Sequence, residues 1–426
     1  MQNDLTESVQ ASIRPGEMVD VMYPGETNVK KQAYPAVVNT RFVQQFTNLG
    51  QGSSQFVISP NGGVSDMILQ FALPTTAGGA NYTSAALPTG WGYALINRIS
   101  VRYGSSAQYF WSGAQVFLQN MLDAETDTKA AQLAQLGGAA AVAGAASGAT
   151  ALVYLKLPHN SCRADGKPLP FPSDLLVQPI VVTVELYGLN QIIVNQAAQA
   201  PLATAPTALA SASLQVKQEM LTDTSDTLAR RVDMNSHALT FPLPYFCQQE
   251  TQVAISGAGP QSVNLTGFRA GEVKQIALWF SPTVVGGGTT VNAQVPGSGN
   301  YQPLFWSQMT DVTLTYNGEI FNRFDSGASQ LWNLVEDQKS AAVQNMTAMN
   351  SGSGGSPAQT VQSYVKLDFA QVSLPDKRDS TLIHGKPILN AVVQLSFTAP
   401  AAGILHAMYV YNASLLCSRG SAEYIF

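Results

Sequence analysis

The chain has 426 residues, of which 12% are charged, and its formal net charge is -5. This balance disfavours a nucleic-acid-binding face, which needs clustered Lys and Arg, and no strongly apolar run reaches the about 18 residues of a membrane-spanning helix. The length predicts two or three domains, each long enough to bury its own core.

The first half of the chain predicts a polar arm followed by one β-rich domain. Residues 1–35 contain three prolines and are expected to form an extended arm. Residues 36–195 predict about eight strands, recognised by alternating or β-branched patterns, and one amphipathic helix. The strands are predicted over 37–46, 55–59, 66–73, 93–103, 108–111, 151–157 and 175–186, and the helix over 114–136. Residues 164–172 are predicted to form either a short edge strand or an extended link.

The second half predicts a similar domain behind a linker. Residues 196–212, rich in Gln, Ala, Pro and Thr, are the expected linker, and residues 213–416 are the second domain. The last ten residues, 417–426, form a tail with two interpretations: it packs on its own domain, or it clasps a neighbouring subunit. In the second domain, strands are predicted over 214–221, 238–255, 262–268, 273–280, from Asp311, over 361–374, 388–397 and 404–414, with a helix from Ala328.

Three cysteines bear on the redox environment. Cys162, Cys247 and Cys417 are widely spaced and form no CxxC pair, so we expect buried free thiols rather than a disulfide framework or a zinc site. The N-terminus has neither the basic nor the apolar segment of a signal peptide, and we expect a protein that is not secreted.

One short pattern occurs twice. Residues 99–103 form an alternating strand that is followed by the corner Ser112-Gly113-Ala114 and a helix. Residues 312–316 form a similar strand, followed by Ser326-Gly327-Ala328 and a second helix. The strand ends lie 213 residues apart (316 − 103), and the corner glycines lie 214 apart (327 − 113).

Two further blocks recur in the same order. Residues 65–74 align with 273–282, and residues 179–184 align with 387–392, both at an offset of 208 (273 − 65). Low-complexity loops follow the same two elements in each half, which are the D–E and F–G connections of a jelly roll with strands lettered B to I. The order and spacing therefore predict an all-β duplication: two tandem eight-stranded jelly-roll barrels, each with a short helix in the F–G connection.

An ordered set of motifs resembles a known family. Ser112-Gly113-Ala114 lies in the F–G segment, and Leu169-Pro-Phe-Pro172 precedes the long strand near residue 180. After the linker, a turn over 221–231 precedes the Gln- and aromatic-rich stretch 245–252. Together they resemble the double jelly-roll major capsid proteins of the adenovirus, tectivirus and large nucleocytoplasmic DNA virus lineage. The resemblance covers residues 36–416.

The resemblance implies a structural role without catalysis. Three chains form a pseudo-hexameric capsomer, and capsomers tile an icosahedral shell in the virion of a DNA virus. The implied partners are the chain itself, neighbouring capsomers, and penton and minor capsid or cement proteins, whereas the presence of an internal membrane is left open. The implied place of synthesis is the host cytoplasm.

Candidate chemistry is sparse. His159, His237, His384 and His406 have no metal-ligand spacing, and neither a GxSxG elbow nor a P-loop occurs, so no catalytic, cofactor-binding or metal-binding residue is predicted. Two alternatives stay open. One is a two-barrel glycan-acting hydrolase, an amidase or glycosidase, with paired carboxylates at the barrel junction. The other is a carbohydrate-binding fibre protein or adhesin.

Overall fold

The fold is described by a computed structural model that covers most of both predicted domains. The described residues are 37–44, 53–60, 63–73, 85–86, 90–123, 132–133, 136–138, 152–157, 163–164, 167–168, 171–173, 176–192, 194–195, 200–201, 209–219, 239–247, 251–269, 271–283, 304, 306–307, 309–324, 364–369, 386–387, 392–418 and 421–425. The predicted arm, the second predicted helix and its corner Ser326-Gly327-Ala328 lie outside these residues.

The elements follow in chain order. The first half contains β1 (Val37–Gln44), β2 (Ser54–Ile58), β3 (Gly63–Ala72), β4 (Ala85–Ala86), α1 (Trp91–Leu95), β5 (Ile96–Tyr103), α2 (Gly113–Asp123), β6 (Leu152–Lys156), β7 (Arg163–Ala164), β8 (Lys167–Pro168), β9 (Phe171–Pro172), β10 (Ile180–Leu186), α3 (Leu189–Ile192), β11 (Val194–Asn195), β12 (Ala200–Pro201) and β13 (Ser211–Glu219). The second half contains β14 (Leu239–Cys247), β15 (Thr251–Ile255), β16 (Gly259–Leu265), β17 (Glu272–Pro282), β18 (Thr310–Tyr316), β19 (Glu319–Phe324), β20 (Tyr364–Asp368), β21 (Lys386–Pro387), β22 (Val393–Ala399), β23 (Gly403–Ser418) and β24 (Ser421–Ile425). None of the described helices has the length and apolarity needed to cross a membrane.

Both halves have the strand order of a jelly roll. In the first, β1-β13-β3-β6 form one sheet and β2-β10-β5 the other, which correspond to strands B-I-D-G and C-H-E. Strand F is reduced to an antiparallel bridge between Ile99 and Trp111. In the second, β14-β23-β17-β20 and β16-β22-β18-β19 repeat the B-I-D-G and C-H-E-F orders. The chain therefore has an all-β fold of two jelly rolls, as predicted.

Alternating apolar residues build the core of each roll. Met67, Leu69 and Phe71 on β3 are fully buried, as the period of a half-buried strand requires. In the second roll, the rings of Phe280 on β17 and Phe397 on β22 meet across the two sheets with centroids 6.4 Å apart. These residues mark the inside of each sandwich and thereby define which face of each sheet points outward.

Backbone details support the duplication. Gly104 and Asn317 follow the equivalent Tyr103 and Tyr316, and both adopt a left-handed conformation, with φ of 55° and 50°. Gly and Asn are the residues that tolerate this region most readily. The D strands also share a bulge, at Ser65 in β3 and at Lys274 in β17. The same turn and the same strand irregularity thus recur in both rolls.

The bulges correct two of the predicted alignments. The bulges make Ser65 equivalent to Lys274, at an offset of 209 (274 − 65). The predicted alignment of residues 65–74 with 273–282 was therefore shifted by one residue. Strands β10 and β22 pair with the equivalent Tyr103 and Tyr316 through Ile180 and Val393. The predicted match of 179–184 with 387–392 was therefore wrong, because 387 belongs to the short strand β21.

Strand β13 corrects the predicted boundary between the domains. Residues 213–219 were assigned to the second roll, behind a linker at 196–212. Instead, β13 lies between β1 and β3 and supplies strand I of the first roll. Most of the predicted linker therefore lies in the connection between strands H and I, where β11 pairs with both β4 and β12.

One predicted strand starts later than expected. Residues 93–103 were predicted as a single strand, but Trp91–Leu95 form the short helix α1 and β5 begins at Ile96. All five residues of α1 are buried, so no alternation distinguishes them from a buried strand.

Candidate functional site: the contact between the two jelly rolls

The predicted F–G helix of the first roll lies at the centre of this contact. Helix α2 starts at the corner Ser112-Gly113-Ala114, where the Gln115 N–H donates a hydrogen bond to Ser112 Oγ at 3.2 Å. This is an N-cap, because the side-chain oxygen satisfies an N–H group that has no partner within the helix. The corner therefore caps the helix that the sequence predicted to follow it.

The middle residue of the corner allows close packing. A Cβ atom at Gly113 would lie 1.8 Å from the Tyr93 carbonyl oxygen, so only glycine lets α2 approach α1 this closely. Asn120, two turns further along the same face of α2, donates from Nδ2 to the Tyr93 hydroxyl at 3.1 Å and to the Lys156 carbonyl at 2.9 Å. Burial raises the pKa of Tyr93 to about 12, so its hydroxyl stays neutral.

Phe117 on α2 joins the two rolls. Its ring meets the ring of Tyr93 with centroids 5.3 Å apart and the ring of Trp306 at 5.8 Å, both edge to face. Tyr93 and Trp306 are equivalent residues of the two rolls, at the offset that relates Tyr103 to Tyr316 (306 − 93 = 213). One side chain of the first roll is therefore packed between matching rings of both.

The aromatic cluster continues into the second roll. Trp306 packs on Trp279 of β17 at 5.6 Å, and Trp279 stacks on His406 of β23 at 5.0 Å with an interplanar angle of 4°. Because Phe280 points into the sandwich, its neighbour Trp279 points out of it, toward the first roll. His406 therefore packs against Trp279, whereas His159, His237 and His384 lie outside the described residues.

A second patch of contacts joins the rolls near the E–F turn of the first roll, and it consists of Tyr109, Arg269, Tyr411 and Tyr424. The Arg269 guanidinium lies over the Tyr109 ring, 4.6 Å from its centroid, and donates from Nη1 to the Tyr109 hydroxyl at 3.0 Å. The Arg269 backbone N–H donates to the Tyr411 hydroxyl at 2.9 Å. Tyr109 also meets Tyr424 edge to face at 5.4 Å. A cation over an aromatic face and a polarised ring edge both give attractive, orientation-dependent contacts.

The C-terminal tail belongs to this second patch. Strand β24 pairs antiparallel with β23, and the register runs from Ser414 opposite Ile425 to Ser418 opposite Ser421. This pairing supports the interpretation that the tail packs on its own domain. It also reaches the first roll, because the Ala422 N–H donates to Ser105 Oγ at 2.9 Å. In the described residues the tail connects the two rolls of one chain.

The contact resembles a protein core more than a reactive cleft. Buried residues of both rolls form one continuous apolar cluster that includes Phe117, Trp279 and Trp306. Among the described residues, no group of three His, Cys, Asp or Glu side chains is placed to share a metal ion. The arrangement can hold two barrels in a fixed orientation.

The local sequence pattern indicated the corner but not the residues that pack against it from the second roll. Trp279, Trp306 and Arg269 come from distant parts of the chain, and no local pattern pairs them with α2. One signal was present: Val116, Phe117 and Leu118 are three consecutive apolar residues in a helix. Such a run predicts burial on more than one face, because neighbouring helical residues point in different directions.

Comparison with known proteins then identifies the architecture. No family model matches the chain, and no curated protein matches it significantly. The chain is similar to a capsid protein of the virus PBCV-1, with a TM-score of 0.59 at 15% identity over 92% of this chain and 98% of that one. It is also similar to a PBCV-1 crystal structure that was fitted into a reconstruction of the virophage Sputnik, with a TM-score of 0.57 at 14% identity over 92% and 98%.

A third similar structure is that of a major capsid protein. The major capsid protein of mavirus matches with a TM-score of 0.50 at 10% identity, over 95% of this chain and 93% of that one. Because these matches cover nearly the full length of both chains, each comparison includes both jelly rolls and the connection between them. The chain therefore has the double jelly-roll fold found in viral major capsid proteins.

Proposed function

We propose that the chain is a viral major capsid protein. Three copies assemble into a pseudo-hexameric capsomer, and capsomers tile an icosahedral shell. The supporting observation is the pair of jelly rolls, which share the bulge in strand D and the turn between strands E and F and are joined through one apolar core. Such a chain presents two near-equivalent barrels as a fixed unit, and three chains then provide six. Closed cyclic symmetry is the usual arrangement of homo-oligomers.

The strand pairing supports a division of the chain into two domains. We place the first jelly roll at residues 36–219 and the second at 239–425, with the connection over 220–238. Strand I of each roll lies at the middle of its B-I-D-G sheet, so neither roll is complete without it.

The character of the junction supports the structural role over the hydrolase. A two-barrel glycan hydrolase would place paired carboxylates between its barrels. In the described part of this junction the side chains between the rolls are mainly aromatic, with Phe117 and Trp306 at the centre. We propose that the chain acts without catalysis, in the virion, with itself and with penton, minor capsid or cement proteins as partners.

The native mass of the purified chain tests the proposal. Light scattering behind a sizing column should give the mass of three chains or of a larger shell. Electron microscopy of that species should then show particles with a hexagonal outline. A clean monomer at micromolar concentration would contradict the proposal, and a glycan screen would then separate a hydrolase from a binding protein.

A further inference from the structure

One sheet of the first roll carries an arginine that the chain itself does not neutralise. The sheet β2-β10-β5 turns Phe56, Ile180 and Val101 into the core, so the residues at the alternate positions point outward. Within the paired register these outward residues are Gln55 and Val57 on β2, Val181, Thr183 and Glu185 on β10, and Arg98, Ser100 and Arg102 on β5.

One end of this outward face is satisfied by side chains of the first roll. Gln108 donates from Nε2 to Ser100 Oγ at 2.7 Å and to Thr183 Oγ1 at 3.3 Å. Beside them, Arg98 and Glu185 form an ion pair, in which Nη2 donates to Oε1 at 2.8 Å. The polar and charged groups at this end therefore partner one another.

The other end is a row of three residues with a different character. Val181 on β10 lies opposite Val57 on β2 and opposite Arg102 on β5, so the three side chains stand side by side across the sheet. Val181 is buried, whereas Val57 is 50% exposed. Just before β10, Val177 is 73% exposed. An exposed aliphatic surface therefore lies beside Arg102.

Arg102 has no partner among the described residues. Its Nε atom is buried without a hydrogen bond, and no described side chain forms an ion pair or a ring contact with its guanidinium. Arg98, four residues earlier on the same face, is neutralised by Glu185. Native proteins seldom leave a partly buried donor of this kind unpaired unless a bound group completes it. The row therefore combines an unpaired cation with exposed aliphatic side chains, and its complement is an anion attached to an apolar group.

The spacing of the row limits which molecules fit. Adjacent strands are about 4.8 Å apart, so the backbones at Val57 and Arg102, two strands apart, are separated by about 10 Å. In a polyproline II segment, residues three apart point to the same side and are about 9 Å apart. In a β-strand, residues three apart point to opposite sides. A polyproline II segment that crosses the strands therefore matches the row.

We propose that Val57, Val177 and Arg102 form a docking surface for an extended acidic segment of a separate protein. An aliphatic side chain of that segment packs on Val57, and the carboxylate of an Asp or Glu three positions later binds the Arg102 guanidinium. A free anion or a lipid headgroup would use the guanidinium alone and would leave the aliphatic residues uncovered. The inference rests on the proposed function for the kind of partner, which is a protein attached to the shell.

Disulfide tethering at Val57 tests this surface. The variant Val57→Cys is equilibrated with two blocked peptides, Cys-Pro-Pro-Glu and Cys-Pro-Pro-Gln, in a glutathione buffer. Both peptides favour polyproline II, and they differ only in the charge three positions from the thiol. We expect residue 57 to retain the Glu peptide about three- to tenfold better than the Gln peptide, because a charge-assisted hydrogen bond adds to the tether. Mass spectrometry of digested protein separates this adduct from those on the natural cysteines.

Two further substitutions assign the preference to Arg102. In the Val57→Cys background, Arg102→Gln should abolish it, and Arg102→Lys should keep part of it, because lysine has the charge without the planar fork. Arg98→Gln is the matched control, on the same strand and the same face, and should leave the preference unchanged.

Three results would overturn the docking surface. Equal retention of the two peptides by Val57→Cys would show that Arg102 does not recognise a carboxylate at this spacing. A thiol at residue 57 that reacts with neither peptide would show that the surface is already covered. Binding to phosphatidylserine vesicles that depends on Arg102, without a peptide preference, would indicate a lipid headgroup instead. None of these results depends on the mass of the assembly, so the surface can fail while the capsid proposal stands.

Discussion

Phe117 of the first jelly roll and Trp306 of the second meet edge to face across the contact between the rolls, with ring centroids 5.8 Å apart. Both side chains are fully buried. The two rolls of one chain therefore share a core, and we expect their unfolding to be coupled. Two rolls that only touched at their surfaces would unfold separately.

Phe117→Ala tests this coupling. The substitution removes a buried ring that contacts both rolls, and large-to-small changes of this kind cost about 3–5 kcal/mol. Calorimetry should show a lower melting temperature and a transition that splits in two as the rolls separate. Val57→Ala, on a half-exposed residue of β2, serves as the control and should change little. An unsplit transition at the wild-type temperature would show that the shared core does not couple the rolls.

The second patch is tested by a double-mutant cycle between Tyr109 and Tyr424. Edge-to-face aromatic pairs contribute about 0.5–1.5 kcal/mol beyond their buried area. The single changes Tyr109→Ala and Tyr424→Ala and their combination should therefore show a coupling energy in that range, measured by chemical denaturation. Purely additive effects would mean that the C-terminal strand does not hold the first roll through this pair.

The corner before α2 gives a smaller effect. Ser112→Ala removes the oxygen that accepts the Gln115 N–H, and the loss of an N-cap costs about 1 kcal/mol. Ser112→Asp should restore most of that stability, because its side chain also accepts the hydrogen bond. Denaturation midpoints for the three proteins give the comparison. If aspartate and alanine are equally destabilising, the side chain at this position does not act as a cap.

Cys417 predicts a loss of stability at alkaline pH. Burial raises the pKa of its thiol from 9.0 to about 12, so above pH 9 the unfolded chain ionises first and stability falls. From pH 9 to 10.5 the wild type should lose about 2 kcal/mol relative to Cys417→Ala, at about 1.4 kcal/mol for each pH unit. Below pH 9 the difference between the two proteins should stay constant. A constant difference up to pH 10.5 would rule out the raised pKa.

Lys274 predicts the opposite trend. This bulge residue is only 4% exposed, and burial lowers the pKa of its ammonium group to about 8 although Glu272 opposes the shift. Below pH 8 the folded protein carries a desolvated charge, so Lys274→Met should be more stable than the wild type. The advantage should shrink from pH 8 to 10.5, where the folded lysine has lost its proton but the unfolded one has not. An advantage that is independent of pH would point to packing instead.

Periodicity predicted the elements better than their partners. The alternation of Leu214 and Val216 correctly indicated a strand, but alternation cannot tell which sheet a strand joins. The preceding Ala-, Pro- and Thr-rich stretch resembles a linker in composition, although it forms the long H–I connection of a single domain. Pairing of strands far apart in sequence depends on tertiary structure, which a local window does not contain.

Burial on both faces explains the misaligned repeat. Every residue from Val273 to Pro282 on β17 is buried, because its inner face packs in the sandwich and its outer face contacts the first roll. Such a strand has no alternation to fix its register, so a one-residue shift changes nothing in the apolar pattern. The corner before α2 was predictable because a cap and a close helix approach require particular residue types at adjacent positions.

The position of β13 has a consequence for synthesis on the ribosome. Strand β3 is complete at residue 72, but the strand that separates it from β1 ends at residue 219. At a translation rate of about 5–20 residues per second, the intervening stretch takes roughly 7–30 s to make. During that interval the nascent chain has two strand edges that await the same partner, and such edges promote aggregation. The chain should therefore depend on chaperones until its 219th residue has emerged, well before the second jelly roll exists.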